Sequence, residues 1–130
     1  MYIIYTDGAY SFSRKQGGCA FIILKDNVEL ISYSKAFVNC TNNEMELIAP
    51  IIALESIETP SDILIYSDSM YVINTAMKLW QRSSHKALWK RYDAISKFHK
   101  SIMWKHVKGH EDNYYNNKCD ELAVEASHRI

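Results

Sequence analysis

The first 38 residues read as three β-strands joined by two short turns, and this pattern constrains the fold more than any other. Residues 2–7 are β-branched or aromatic on both faces, as expected for a buried strand. A turn follows over 8–16, a second strand runs over 17–25, and the hairpin signal Asp26-Asn27 leads into a third strand over 28–38. The chain therefore starts with an antiparallel sheet.

The rest of the chain alternates helices with two more strands. Apolar spacing predicts helices near 41–57, 69–80, 87–99 and 117–129, and strands over 62–68 and 102–108. Thr41 and Glu44 have the spacing of a capping box at the start of the first helix. Crossovers between parallel strands are right-handed and place helices on the sheet faces. We therefore predict an α/β fold with a five-stranded mixed sheet: three antiparallel strands plus two parallel ones, with helices on both faces.

Length and composition limit the possible classes of protein. A chain of 130 residues is too short for two domains, so we expect one domain over 1–130. The start lacks the basic and apolar segments of a signal peptide, and no apolar run approaches the ~18 residues of a membrane span. Three widely spaced cysteines fit a reducing compartment and offer no zinc spacing. We expect a cytoplasmic, monomeric protein without membrane association.

The net charge is zero, but the charges are unevenly distributed. Between Lys78 and Lys108 there are nine Lys or Arg and one acid, so this segment carries +8 and the remainder −8. Lys78, Arg82, Lys86 and Lys90 recur every four residues and would form one basic stripe on a continuous helix. With tryptophans interleaved, such a stripe suits a phosphate backbone. The alternative is an ordinary solvated helix face.

Four acidic residues lie where an α/β fold gathers distant parts of the chain. Asp7 and Asp68 end apolar strand runs, whereas Glu46 and Asp120 lie near the starts of helices. If the four meet, they form a negative pocket that needs cations, and hard carboxylate oxygens suit Mg²⁺ or Mn²⁺. Taken singly, Asp7 could be a strand-end cap and Asp120 an acid favoured by the helix dipole.

Five sequence runs, in order along nearly the whole chain, resemble the motifs of type 1 ribonuclease H. They carry all four acids and one histidine. The runs are Tyr5-Thr6-Asp7-Gly8-Ala9, Thr41-Asn42-Asn43-Glu44-Met45-Glu46-Leu47, Tyr66-Ser67-Asp68-Ser69, Trp104-Lys105-His106-Val107-Lys108-Gly109-His110 and Asn116-Asn117-Lys118-Cys119-Asp120-Glu121-Leu122-Ala123. The resemblance implies an endonuclease that hydrolyses the RNA strand of an RNA–DNA hybrid and leaves 3′-hydroxyl and 5′-phosphate ends.

The resemblance also implies a role for each site residue. Two Mg²⁺ ions, or Mn²⁺, would activate a water and stabilise the leaving oxygen. Asp7 would contact both ions, Asp120 the ion on the nucleophile side, and Glu46 and Asp68 the ion on the leaving-group side. His110 resembles the loop histidine that assists proton transfer or product departure.

Substrate contacts follow from the same resemblance and from the basic segment. The candidates are Gly8, Thr41, Asn42, Asn43, Lys78, Trp80, Arg82, Lys86 and Asn116. Met70 stands where many family members have a glutamine that reaches the minor groove. The connector between Val72 and Leu88 is also too short for the family's basic handle, and we hypothesise that the stripe over 78–90 partly substitutes for it.

Two other functions remain open from the sequence. One is another nuclease of the ribonuclease H fold, such as a junction resolvase or an integrase-like strand transferase, which the runs at 41–47 and 119–123 disfavour. The other is a hybrid-binding module without catalysis. Four intact acids disfavour such a module, because a binder has no need of clustered negative charge beside a phosphate.

Overall fold

The computed structural model describes residues 1–107 and 113–129. These residues form five strands and four helices. In chain order the elements are β1 (Tyr2–Ser11), β2 (Gln16–Lys25), β3 (Val28–Val38), α1 (Asn42–Ser56), β4 (Asp62–Ser67), α2 (Met70–Ala76), α3 (Lys86–Phe98), β5 (Ser101–His106) and α4 (Tyr114–Ser127).

The strands form one mixed sheet in the order β3-β2-β1-β4-β5. β1 pairs antiparallel with β2, which pairs antiparallel with β3. β4 runs parallel to both β1 and β5. The predicted fold class, with three antiparallel strands and two parallel ones, is confirmed.

Helices cover the two faces of the sheet unequally. The main core joins Ile4 and Ile65 of the sheet to Leu47 of α1 and Trp89 of α3. On the opposite face, α4 packs on β1 and β2 through a smaller cluster that includes Ala20, Ile22, Cys119 and Ala123. The smaller cluster is what fixes α4, and with it Asp120, to the first two strands.

Gly18 on β2 permits the close packing of α4. A Cβ at this position would lie 2.3 Å from the Ala123 carbonyl oxygen and 2.6 Å from the Ser127 amide nitrogen. Any side chain at position 18 would therefore push the helix away from the sheet.

The largest differences from the predicted boundaries lie at the ends of β1 and α2, and α4 begins at Tyr114 rather than at 117. β1 runs to Ser11, because residues 8–11 continue the antiparallel pairing with β2 and leave only 12–15 as the turn. α2 ends at Ala76 rather than at 80. There the Leu79 and Trp80 amides both donate to the Asn74 carbonyl oxygen, at 2.8 and 3.2 Å, and Lys78 adopts a positive φ of 61°.

Residues 78–90 are therefore not one continuous helix, and the condition for a single basic stripe is not met. The connector between α2 and α3 is instead held by Arg82. The Arg82 guanidinium forms an ion pair with Asp93 at 2.6 Å and lies 4.7 Å from the centre of the Trp89 ring. Among the described helices, none is long and apolar enough to cross a membrane.

Candidate active site

Three of the four predicted acids meet at the end of the parallel strand pair. Tyr5 of β1 pairs with Tyr66 of β4, so Asp7 and Asp68 each lie two residues beyond the same rung of the sheet. α1 brings Glu46 to them from the face with the main core. One carboxylate oxygen from each of the three residues lies within 4.8 Å of the others.

Gly8 links two of these carboxylates. Its amide N–H donates to Asp7 Oδ1 at 2.8 Å and to Glu46 Oε1 at 2.9 Å. A Cβ on Gly8 would lie 2.4 Å from the Glu46 amide nitrogen, so only glycine allows α1 to approach β1 this closely. The Thr-Asp-Gly run thus supplies both the Asp7 carboxylate and the backbone N–H that orients the Glu46 carboxylate.

Asp120, the fourth predicted acid, lies on α4 on the other face of the sheet and is exposed. It is close enough to contribute to the raised pKa of Asp7, but it is not one of the three residues whose carboxylate oxygens lie within 4.8 Å of one another. The preceding residue, Cys119, is buried, and its Sγ contacts the Tyr5 carbonyl oxygen at 3.4 Å. This contact fixes the helix against β1 one residue before the carboxylate.

The cluster carries an unfavourable excess of negative charge. Asp7 and Glu46 are only 3% and 7% exposed. Burial, and then repulsion by Asp68, raises the pKa of Asp7 to about 8. The pKa of Glu46 is raised well above its usual range, first by burial and then by Asp7 and Asp68. Without a compensating cation, Asp7 therefore holds a proton at neutral pH.

Two of the carboxylate oxygens are buried without a hydrogen-bond donor from the described residues: Asp7 Oδ2 and Glu46 Oε2. An unsatisfied buried oxygen is costly unless a cation or a proton meets it. Hard divalent cations prefer clustered carboxylate oxygens of this kind. The donor set of Asp7, Glu46 and Asp68 therefore fits a divalent metal ion.

The start of α1 presents three predicted substrate residues, Thr41, Asn42 and Asn43, at the surface beside the cluster. The capping box is present: the Glu44 amide donates to Thr41 Oγ1 at 3.2 Å, and the Thr41 amide donates to Glu44 Oε1 at 2.9 Å. Glu44 is therefore engaged in the cap and is not part of the carboxylate cluster.

The other predicted substrate residues are placed differently. Lys78, Trp80 and Lys86 are exposed on or beside the connector. Arg82 already forms an ion pair with Asp93 and lies over the Trp89 ring. Asn116 is only 3% exposed. The predicted catalytic residue His110 lies outside the described residues.

Sequence reasoning placed Tyr10 and Phe12 in a turn and gave them no role. The structure puts their rings in contact, and both line a cleft with Thr41 and Asn42 at the start of α1. An available signal was the run Phe12-Ser13-Arg14-Lys15, in which an aromatic residue stands next to two cations in a turn.

Known proteins provide an independent comparison. The family model for RNase H matches residues 1–128. The chain is 42% identical to a ribonuclease H from Prosthecochloris aestuarii, with 95% of this chain and 93% of the relative covered. It is 39% identical to a ribonuclease H from Acetivibrio thermocellus, with 94% and 91% covered.

Solved structures share the fold. LC11-RNase H1, crystallised in complex with an RNA/DNA hybrid, superposes with a TM-score of 0.85 at 21% identity, covering 97% of this chain and 96% of that one. RNase H1 from Halobacterium salinarum superposes with a TM-score of 0.83 at 21% identity, with 96% of each chain covered. Family model, relatives and type 1 motifs agree: the chain belongs to the ribonuclease H family.

Proposed function

We propose that this chain is an endonuclease that hydrolyses the RNA strand of RNA–DNA hybrids and leaves 3′-hydroxyl and 5′-phosphate ends. One observation carries the proposal. Asp7, Glu46 and Asp68 bring carboxylate oxygens within 4.8 Å of one another, and two oxygens of this group are buried without a donor from the described residues. Membership of the ribonuclease H family supplies the reaction class.

The site residues act by holding charge and geometry. Asp7, Glu46, Asp68 and Asp120 would hold two divalent cations, either Mg²⁺ or Mn²⁺. When bound, such ions supply the charge that activates a water nucleophile and neutralises the leaving oxygen. The Gly8 amide holds Asp7 and Glu46 in register, so these two carboxylates are oriented before any cation arrives. His110 would move a proton or assist product departure.

Recognition of the hybrid is assigned to exposed groups around this cluster. Asn42 and Asn43 project from the first turn of α1, where amide side chains can donate and accept hydrogen bonds at a minor-groove edge. The backbone at Gly8 and Glu46 lies beside the carboxylates and can read a 2′-hydroxyl, the group that separates RNA from DNA. Lys78, Trp80 and Lys86 offer exposed contacts further along the duplex.

Cleavage assays on four labelled duplexes test the proposal. The substrates are an RNA–DNA hybrid, duplex RNA, duplex DNA and a four-way junction, each incubated with Mg²⁺ and separately with Mn²⁺. We expect cleavage of the hybrid RNA strand only, lost in Asp7→Asn and retained in Glu58→Gln, an exposed acid in the loop after α1.

Other results would redirect the assignment. Cleavage of the junction would favour a resolvase, and tight hybrid binding without cleavage would favour a binding module. Activity that survives Asp7→Asn would contradict the role given to the cluster. His110→Ala should slow turnover without abolishing cleavage, and the remaining cleavage should still be lost when Asp7 is replaced.

A further inference from the structure

β1 and β4 separate just before they deliver their acids to the carboxylate cluster. The parallel pairing of the two strands ends with the rung between Tyr5 and Tyr66. Beyond that rung β1 continues along β2, whereas β4 soon ends and the chain turns into α2. The backbone ladder therefore does not by itself fix the distance between Asp7 and Asp68.

The carboxylate cluster consists of two halves. The Asp7 half comprises Asp7, Gly8 and Glu46, and the Gly8 amide joins its two carboxylates and binds β1 to α1. The Asp68 half is the turn that carries Asp68 between β4 and α2. Because oxygens from both halves lie within 4.8 Å of one another, their like charges push the halves apart.

The Asp68 half is fixed to itself, to β5 and to α2. The Ser69 amide donates to Ser67 Oγ at 3.1 Å, and Ser67 is fully buried. The Val107 amide donates to the Ser67 carbonyl oxygen at 3.0 Å, and the Val72 amide donates to Ser69 Oγ at 3.2 Å. These bonds order the turn around Asp68, but none of them reaches β1.

A single hydroxyl spans the gap between the two halves. Thr6 Oγ1 donates to the Tyr66 carbonyl oxygen at 3.2 Å. Thr6 directly precedes Asp7 and is only 1% exposed, and Tyr66 lies two residues before Asp68. Among the side-chain hydrogen bonds of residues 1–107 and 113–129, no other joins β1 to β4. The Thr6 hydroxyl therefore holds the strands together at the point where their ladder stops.

We propose that the Thr6 hydroxyl is a positioning group that fixes the distance between the Asp7 half and the Asp68 half, and through this distance the affinity of the cluster for a divalent cation. Carboxylate oxygens bind such cations at about 2.0–2.6 Å, so a small change in their spacing weakens binding. The buried Thr6 side chain itself contacts neither the cation nor the substrate. The inference rests on the proposed function, which supplies the cation.

Manganese binding tests this positioning role. The chain is titrated with Mn²⁺ in the absence of nucleic acid, and free Mn²⁺ is measured by its electron paramagnetic resonance signal. Thr6→Val keeps the shape of the side chain and removes the hydroxyl. It should weaken Mn²⁺ binding about 10- to 100-fold, the range found when a group that orients metal ligands is removed. Thr6→Ser keeps the hydroxyl and should stay within about threefold of wild type.

Thr75 provides a matched control on α2. It is also only 1% exposed, and its hydroxyl has no hydrogen-bond partner among the described residues. Thr75→Val is therefore the same substitution without the loss of a hydrogen bond, and it should leave the Mn²⁺ affinity within about twofold of wild type. An unchanged affinity in Thr6→Val, or an equal loss in Thr75→Val, would overturn the inference.

Cleavage kinetics separate positioning from substrate binding. Thr6→Val should raise the Mg²⁺ concentration that gives the half-maximal rate by about 10-fold. The KM for the hybrid at saturating Mg²⁺ should stay within about twofold, because a buried side chain does not reach a duplex. A higher KM with an unchanged Mg²⁺ requirement would assign Thr6 to substrate binding and overturn the positioning role.

A second pair of variants covers the case in which Thr6→Val does not fold. Thr6→Ala and Thr6→Ser differ only in the hydroxyl, so tighter Mn²⁺ binding by the serine variant would support the inference and equal binding would overturn it. A wild-type chain that binds no Mn²⁺ would also overturn it. A wild-type chain that shows the dependence on the hydroxyl but cleaves no hybrid would refute the proposed function and leave the positioning role in place.

Discussion

Replacing Asp7 by asparagine should make the cation-free fold more stable at pH 8. The Gly8 amide can still donate to the side-chain oxygen of the substituted residue, so the hydrogen bond that measures 2.8 Å in the wild-type chain is kept while a charge is removed. The new amide N–H₂ takes the place of Asp7 Oδ2 and can donate to Glu46 Oε2, which has no donor among the described residues. One substitution therefore relieves repulsion and satisfies an orphaned oxygen.

The size of the effect follows from the pKa of Asp7. Folding raises this pKa from 3.8 to about 8. An acid whose pKa is raised by folding stabilises the fold fully below its unfolded pKa and loses that contribution as pH rises through the folded value. The change in pKa from 3.8 to about 8 lowers the free energy of unfolding by at most about 6 kcal/mol, at about 1.36 kcal/mol per pKa unit. Because Glu46 shares the same repulsion and local rearrangement relieves part of it, we expect Asp7→Asn to gain about 2–4 kcal/mol.

Thermal unfolding in the presence of a metal chelator measures this gain in stability. For a chain of this length, about 2–4 kcal/mol corresponds to a rise in Tm of about 6–15 °C at pH 8. At pH 4 the gain should largely vanish, because Asp7 is protonated in the folded chain. Glu58→Gln makes the same charge change at an exposed site and should shift Tm by less than about 2 °C. A variant no more stable than wild type at pH 8, or equally stabilised at both pH values, would refute the argument.

Mg²⁺ should raise the Tm of wild-type protein more at pH 8 than at pH 5, since protons compete for Asp7 and Glu46 at the lower pH; an equal rise at both would contradict competition. Gly18→Ala should lower the free energy of unfolding by about 1–3 kcal/mol in urea titrations, because its Cβ would crowd the Ala123 carbonyl oxygen. An unchanged urea midpoint would mean that α4 shifts to accommodate the added methyl group without loss of stability. Thr41→Ala should cost about 1 kcal/mol and Thr41→Ser much less, since serine can still cap the Glu44 amide. Equal losses for the two Thr41 variants would argue against capping.

The sequence predicted most of the fold because its signals were local. Strand runs, the Asp26-Asn27 hairpin and the capping box at Thr41 each depend on residues close in the chain, and each is present in the structure. The end of α2 could not be predicted in the same way. It is set by a backbone turn in which Asn74 accepts two amides, and the spacing of side chains does not reveal such a turn.

The sequence also did not predict the contacts of Arg82 or the burial of Asn116. The four-residue spacing of cations included Arg82, but pairing with Asp93 and stacking on Trp89 depend on how α3 docks. Burial of Asn116 likewise depends on how α4 packs against the sheet. The meeting of Asp7, Glu46 and Asp68 was predictable, because strand ends and helix starts have fixed places in an α/β fold.

Attachment of Asp120 to α4 has a consequence for how the protein matures during synthesis. α4 is the last described element, yet it packs on β1 and β2, about a hundred residues earlier in the chain. A ribosome-bound chain that has released β1 to β5 therefore holds Asp7, Glu46 and Asp68 but has not docked the fourth acid. Because such distant contacts form late, the carboxylate set is completed only near the end of folding. A nascent chain in which α4 has not docked therefore lacks the fourth acid of the proposed metal site.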